Sequence, residues 1–299
     1  MGKFRRSWIL GFLVATALGY TSAFAQAPAN CRAKDQEADV MISDLHPTQP
    51  DVGLGEVLKK VKDLVSVDPT QGSLDGSDPV PVVVGPDGGL YVSDHHHFVL
   101  ALLMAKNADA LVHVKVLEND FCGTCSPSTT QCLQNFWAHM ASAHLGYLCS
   151  NHDQPISYTQ VPQGFGPNAS PKPLGNDPYR TLVNVMRKTA PSYDPNGKPC
   201  LFRPTDDASA FFWEFRMAEK IRRHIPADKA AEILGPGNAK SAKPSQDIID
   251  AACKAWSEDS SDDSCAARIA ADPSLILGSA PVGSARGSNP SKRSPAQGK

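Results

Sequence analysis

The chain has 299 residues, of which 41% are hydrophobic, which is enough to build a sizeable core and excludes wholesale disorder. Its 22 glycines and 25 prolines together exceed average usage, so we expect numerous loops. The formal net charge is -2, and residues 1–25 hold three basic residues and no acidic one, so the rest of the chain is mildly acidic. That balance argues against a broad, sequence-independent grip on nucleic acid.

Residues 1–25 have the features of an export signal. Three basic residues, at positions 3, 5 and 6, precede the apolar run 8–20, and Ala23-Phe24-Ala25 forms a small-residue cleavage site before Gln26. The apolar run is shorter than the roughly 20 residues that a membrane-spanning helix needs. We therefore predict a cleaved signal peptide, export to the periplasm or the medium, and no transmembrane anchor in the mature chain.

Eight cysteines follow the predicted cleavage site. In an oxidising compartment an even number of cysteines predicts a set of disulfides, and we expect one of them to join Cys253 to Cys265. The spacing of Cys122 and Cys125 also fits a redox pair or half of a zinc site. Structural disulfides are the favoured interpretation, because the two cysteines lie in a Ser/Thr/Pro loop after a strand.

Apolar periodicity predicts alternating helices and strands in the first half of the chain. In chain order it gives an amphipathic helix over residues 51–65, a hairpin of strands over 80–84 and 90–93, a helix with apolar residues on every side over 95–106, and a strand over 110–117. The apolar helix and the strand after it are both expected to be buried.

The second half of the chain reads as mostly helical. We predict helices over residues 131–144, 178–188, 207–225 with Asp207 as N-cap, and 245–256 with Ser245 as N-cap. The predicted organisation is a signal peptide (1–25), a core with a helical extension (26–234), a small disulfide-tied helical segment (235–277) and a disordered tail (278–299).

The segment Asp94-His95-His96-His97 stands where a strand ends and the apolar helix begins. We expect Asp94 to cap the first turn, whose free backbone N–H groups favour an anion. Successive helical residues are about 100° apart, so at most two of the three histidines share a site with Asp94. We interpret the segment as a catalytic centre in which one histidine is a general base, or Asp94 and His96 bind a divalent metal ion. In the alternative interpretation one histidine packs, one caps and one is solvated.

Arg180 lies in the first turn of the helix predicted to begin at Pro178. Its guanidinium is suited to a bidentate clamp on a phosphate or a carboxylate. The alternative is an internal ion pair with Asp177. Both remain open, because an arginine in a first helical turn opposes the helix dipole unless a neighbour compensates.

Several stretches of the sequence occur together in one known family. They are Leu45-His46-Pro47-Thr48-Gln49, the run from Val82 through Gly88 and from Tyr91 to His97, Phe136-Trp137 with Met140, the run from Asp177 to Leu182, and Phe212-Trp213-Glu214-Phe215. In this order they resemble the exported branch of the ParB-like nuclease family, over residues 41 to about 234.

The resemblance implies an α+β fold, in which a small mixed sheet is surrounded by helices as in ParB amino-terminal domains and sulfiredoxins, followed here by a helical C-terminal part. It implies a functional loop between strand and helix. It also implies that His46 and Gln49 belong to the same cleft and bind an anion together with Arg180. The chain has no cysteine between Cys31 and Cys122, so the cysteine chemistry of sulfiredoxins is not implied.

Two functions follow from these observations. The first is an exported phosphodiesterase or nuclease that uses the segment from Asp94 to His97, with nucleic acid or a small phosphodiester as its partner. The second is a non-enzymatic envelope protein that binds a small anion or a protein in the same cleft. Fold membership alone does not separate them.

Overall fold

The computed structural model describes residues 31–65, 79–124, 129–189, 210–233, 246–258 and 264–277. The predicted signal peptide, the predicted tail and the two predicted N-caps, Asp207 and Ser245, lie outside the described residues. In the described part of the chain, no helix is both long enough and apolar enough to cross a membrane.

Five strands form one mixed sheet, and two short strands form a second sheet. The strands are β1 (Glu37–Met41), β2 (Leu45–Pro47), β3 (Asp51–Val52), β4 (Val80–Val84), β5 (Leu90–Val92), β6 (Leu111–Glu118) and β7 (Gly175–Asn176). The larger sheet has the order β1-β6-β4-β5-β2, in which β4 pairs parallel with β6 and β2 pairs parallel with β5, while the other pairs are antiparallel. The smaller sheet is the parallel pair of β3 and β7.

Eight α-helices accompany these sheets in the described residues. They are α1 (Leu54–Val65), α2 (His96–Ala105), α3 (Thr130–Ser142), α4 (Pro178–Thr189), α5 (Ala210–His224), α6 (Ala227–Ile233), α7 (Gln246–Glu258) and α8 (Cys265–Ala271). The mixed α+β fold predicted from the sequence is therefore confirmed.

The hydrophobic residues that the structure describes form three cores. In the first, α2 packs against α1 and the valine-rich strands β4 and β6, which explains why α2 is apolar on every side. The second surrounds Tyr91, Phe136 and Trp137 and includes part of α8. The third lies among helices α4 to α7. The sheet and the helical C-terminal part are thus joined by packing as well as by sequence.

The predicted disulfide between Cys253 and Cys265 is wrong. Cys265 is bonded to Cys149, and Cys31 is bonded to Cys122. The reason is the packing of the helices: α7, which carries Cys253, packs on α5 in the third core, whereas α8, which carries Cys265, packs on α3 in the second. Cys132 and Cys253 are disulfide-bonded as well.

Candidate functional site

The predicted centre lies where two parallel strands end. Strands β2 and β5 run parallel, so Thr48 and Ser93, the residues that follow them, lie at the same edge of the sheet. Helix α2 begins three residues after Ser93, at His96. In open α/β sheets, ligands usually bind beyond the carboxyl ends of parallel strands.

Asp94 does not cap helix α2, contrary to the prediction. The N-cap is His95, which adopts a left-handed conformation with φ of 69° and makes no side-chain capping bond. The carboxylate of Asp94 instead accepts a hydrogen bond from the N–H of His95, at 2.6 Å, and the residue is exposed. The tight turn at His95 therefore places Asp94 on the outside and turns the next two histidines inward.

His96 is enclosed within the protein. Its side chain is buried, and its Nε2 accepts a hydrogen bond from the backbone N–H of Thr48, at 3.0 Å. Burial, and next the positive charge of Arg180, hold the pKa of His96 well below its usual range. His96 is therefore a neutral imidazole that fixes the end of strand β2, and it is not brought together with the exposed carboxylate of Asp94.

His97, the next residue, accepts an equivalent hydrogen bond from the backbone. Its Nε2 accepts from the backbone N–H of Gly53, at 2.9 Å, just before helix α1 begins. The same nitrogen is 4.0 Å from Oε2 of Glu56, in the first turn of α1. Since an acceptor nitrogen bears no proton, Nε2 of His97 presents its lone pair on the side of α1.

The first turn of helix α4 meets the first turn of α1. The N–H of Gly55 donates to Oγ1 of Thr181, at 3.2 Å. At Gly53 a side-chain Cβ would lie 2.9 Å from the backbone nitrogen of Thr181, so only glycine permits this approach. The N-termini of α1, α2 and α4 therefore converge, and their positive dipole ends favour negative charge at the junction.

Arg180 is buried at this junction and is paired with Glu214 rather than with Asp177. Its Nε donates to Oε1 of Glu214 at 2.9 Å, one Nη donates to the backbone oxygen of Asp51 at 2.7 Å, and the guanidinium lies 4.0 Å from the centroid of the Phe215 ring. Glu214 is the compensating neighbour that an arginine in a first helical turn requires.

Asp177 has partners of its own. It accepts from the N–H of Tyr179 at 3.0 Å and from Arg222 at 2.7 Å. Burial raises the pKa of Asp177 to about 7, an increase that the charge of Arg180 opposes.

One group of potential metal ligands lies at the junction. The ligand atoms of Glu56, His97 and Glu214 are all within 4.8 Å of one another. Sequence reasoning identified His97 but missed both glutamates. Glu214 lies inside one of the stretches that carry the family resemblance, Phe212-Trp213-Glu214-Phe215, and this was the one signal in the sequence that could have identified it. Glu56 occupies an ordinary polar position of an amphipathic helix.

The two remaining predicted residues lie in different surroundings. A ring N–H of His46 donates to the backbone oxygen of Gln163, at 2.8 Å, and His46 borders a cavity of about 720 Å³ that Arg32, Asp44 and Asp87 also line. None of the residues of the junction lines this cavity. Gln49 is fully buried, and neither polar atom of its amide has a hydrogen-bond partner among the residues that the structure describes. The structure thus brings His96, His97 and Arg180 to one junction, while Asp94 and His46 face elsewhere.

The fold and this junction define a class of α+β protein in which several helix N-termini converge at a junction between strand and helix. The family described as "Putative ParB-like nuclease" matches residues 38–199, more than half of the chain, and the chain belongs to that family. Glu56, His97 and Arg180 lie within the matched residues, and Glu214 lies beyond them.

A solved structure is also similar to this chain. It is the crystal structure of protein Atu1540 from Agrobacterium tumefaciens, with 24% sequence identity, a TM-score of 0.49, and coverage of 75% of this chain and 91% of that one. No curated protein matches the chain at a significant level.

Proposed function

We propose that the protein is an exported hydrolase of phosphodiester bonds, with nucleic acid or a smaller phosphodiester as its substrate. The observation that supports this proposal best is the meeting of His97, Arg180 and two carboxylates, Glu56 and Glu214, where three helix N-termini converge. Membership of a family described as nuclease-like agrees with this chemistry.

Each group has a role that its geometry suits. The converging helix N-termini and the guanidinium of Arg180 favour a phosphate, and the two hydrogen bonds of Arg180 to Glu214 and Asp51 use only part of its donor capacity. His97 has no proton on Nε2, the state that either a general base or a metal ligand needs, and in either role it gives up the Gly53 N–H. His96 positions the loop before α1 and does not contact substrate.

The proposal is tested by hydrolysis of bis(p-nitrophenyl) phosphate and of labelled single- and double-stranded DNA and RNA. We expect the wild type to cleave at least one of these substrates. Arg180→Lys keeps the charge but loses the planar fork, and we expect it to lower kcat/KM by about 100-fold. Arg187→Lys, an exposed arginine on the same helix, is the matched control and should keep full activity. A folded wild type that cleaves none of the substrates would overturn the proposal.

The second candidate is a non-enzymatic anion-binding protein, and it agrees with the structural role of the same side chains. Arg180, His96 and His97 each hydrogen-bond the backbone of residues 48–53, so the same side chains hold this segment in shape. For that function we expect saturable binding of inorganic phosphate by the wild type, its loss in Arg180→Lys, and no hydrolysis by either protein.

A further inference from the structure

Three side chains from three different helices meet beside Arg180. Glu56 comes from α1, His97 from α2 and Glu214 from α5, and their ligand atoms lie within 4.8 Å of one another. Their side chains are largely shielded, with exposed fractions of 12%, 11% and 21%. Elements distant in sequence thus converge on one small volume, which two carboxylates and one imidazole surround.

The spacing is close to that of a metal site. Protein ligands lie about 2.0–2.2 Å from ions such as Zn²⁺ or Mn²⁺, so three ligands spread evenly around one ion lie at most about 3.8 Å apart. The three atoms, which are within 4.8 Å of one another, each need to move inward by at most about 0.6 Å to meet this limit. Rotation of the two glutamate side chains can supply such a shift, because they have several rotatable bonds.

The chemistry of the group also suits a cation. Two carboxylates face one guanidinium, that of Arg180, and His97 is unprotonated at the nitrogen nearest Glu56. Lys60, which is 3.9 Å from Glu56, is partly exposed and therefore compensates only weakly. The carboxylates of Glu56 and Glu214 offer negatively charged oxygens to a divalent ion in this shielded position.

We propose that Glu56, His97 and Glu214 bind a divalent transition-metal ion. Carboxylate oxygens together with an imidazole nitrogen suit Mn²⁺ and Zn²⁺ better than Mg²⁺ or Ca²⁺, which prefer oxygen ligands alone. The ion takes the Nε2 lone pair that accepts the Gly53 N–H in the absence of metal. One oxygen of Glu214 stays with Arg180 and the other turns to the ion.

The use of this ion in catalysis rests on the proposed function, whereas its binding does not. An ion bound there would lie beside Arg180, and His97 would then act as a ligand of the ion and not as the general base. A metal ion in such a position polarises the phosphoryl oxygens and lowers the pKa of a bound water.

The test is titration of the full-length metal-free protein with Mn²⁺, followed by electron paramagnetic resonance and calorimetry, without substrate. We expect one saturable site, competition by Zn²⁺ and little competition by Mg²⁺. Glu56→Gln keeps the shape of the side chain but removes its charge. Because loss of even an outer partner weakens metal affinity roughly tenfold or more, we expect this variant to raise Kd by at least about tenfold.

The matched control is Glu118→Gln, which alters a glutamate 2.6 Å from another histidine, His139, outside the group. It should bind Mn²⁺ like the wild type. Circular dichroism shows whether each variant is folded, and His97→Gln serves as the second variant if Glu56→Gln is not. The absence of a saturable site in the folded wild type, or equal affinity in the wild type and a folded ligand variant, would overturn the inference.

The outcomes separate this inference from the proposed function. Saturable Mn²⁺ binding that Glu56→Gln weakens, without hydrolysis of any phosphodiester, supports the metal site and overturns the hydrolase. Hydrolysis that persists in EDTA, with no saturable Mn²⁺ binding, supports the hydrolase and overturns the metal site.

Discussion

At the scale of single residues, the two inward histidines act first as hydrogen-bond acceptors for the backbone. His96 accepts the N–H of Thr48 and His97 that of Gly53, so the pair fixes both ends of the segment between β2 and α1. An unpaired buried N–H costs about 1–3 kcal/mol, so each imidazole contributes to stability whatever chemistry the junction performs.

The lowered pKa of His96 predicts a pH dependence of stability that can be assigned to this one residue. Its pKa in the folded protein is well below 6.5, so below that pH the unfolded chain binds a proton that the folded protein does not. The unfolding free energy therefore falls as pH falls through 6.5. His96→Gln keeps an acceptor for Thr48 but does not titrate. Between pH 7 and pH 5 we expect the wild type to lose up to about 2 kcal/mol relative to this variant, measured by urea unfolding at each pH.

His113 is the control, since its shift has the opposite sign. The hydrogen bonds that His113 donates to Asp39 and then to Glu37 raise the pKa of His113, so its contribution is present below 6.5 and is lost as pH rises through the folded pKa. His113→Gln should thus lose stability relative to the wild type on the acid side. A difference between wild type and His96→Gln that does not change with pH would contradict the assignment of His96.

At the scale of elements, the junction depends on how closely α1 and α4 approach. A Cβ at Gly55 would lie 2.4 Å from Cγ2 of Thr181, whose hydroxyl accepts the N–H of Gly55. Thr181 is buried and β-branched, so it cannot rotate away without losing this bond. The glycine is therefore a packing requirement, although alanine is usually the better residue in a helix.

Gly55→Ala should destabilise the protein by about 1–3 kcal/mol in urea unfolding. Adding Thr181→Ser removes Cγ2 and keeps the hydroxyl, so the double variant should recover most of this loss. Gly164→Ala is the control, because nothing lies within 4 Å of its Cβ position, and it should change stability by less than about 0.5 kcal/mol. A double variant no more stable than Gly55→Ala would show that the contact with Thr181 is not the cause.

The elements that could be predicted from the sequence are those in which apolar residues recur at a regular local spacing. The strands β4 and β6 and the helices α2, α3 and α4 lie within a few residues of their predicted bounds. Residues 51 and 52 were predicted as the start of a helix but form strand β3. Its partner β7 begins at Gly175, more than a hundred residues away, and two residues of strand leave no periodic pattern.

The residues of the site divide in the same way, into those with a local signal in the sequence and those without one. The stretch from Asp94 to His97 and Arg180 could be found because each stands at a predicted element end. Glu56 and Glu214 could not, since each occupies a polar position on a helix, and only the meeting of α1 and α5 at His97 distinguishes them. The disulfide of Cys265 was missed for a related reason: the partner nearest in sequence, Cys253, belongs to a different core.

At the scale of the whole molecule, two of the disulfides, those between described residues, join distant parts of the chain in different surroundings. Cys149 and Cys265 are almost completely buried, and the N–H of Cys265 donates to the carboxylate of Glu219. Glu219 is itself buried and also accepts a hydrogen bond from the hydroxyl of Tyr147. The two cysteines connect α8 to the segment after α3. Cys31 and Cys122 join the start of the described chain to the turn that follows β6 and are only partly buried.

This difference predicts the order in which the two bonds are reduced. Reduction requires a thiolate to reach a sulfur, so under native conditions dithiothreitol should cleave the bond between Cys31 and Cys122 first, while Cys149 and Cys265 stay bonded until urea unfolds the protein. Alkylation at timed points, followed by peptide mass spectrometry, measures both rates. Replacing Cys149 and Cys265 with serine should cost about 2–5 kcal/mol, since their bond closes a long loop. Equal reduction of both bonds in the absence of urea would contradict the burial of Cys265 and the packing of α8 on the second core.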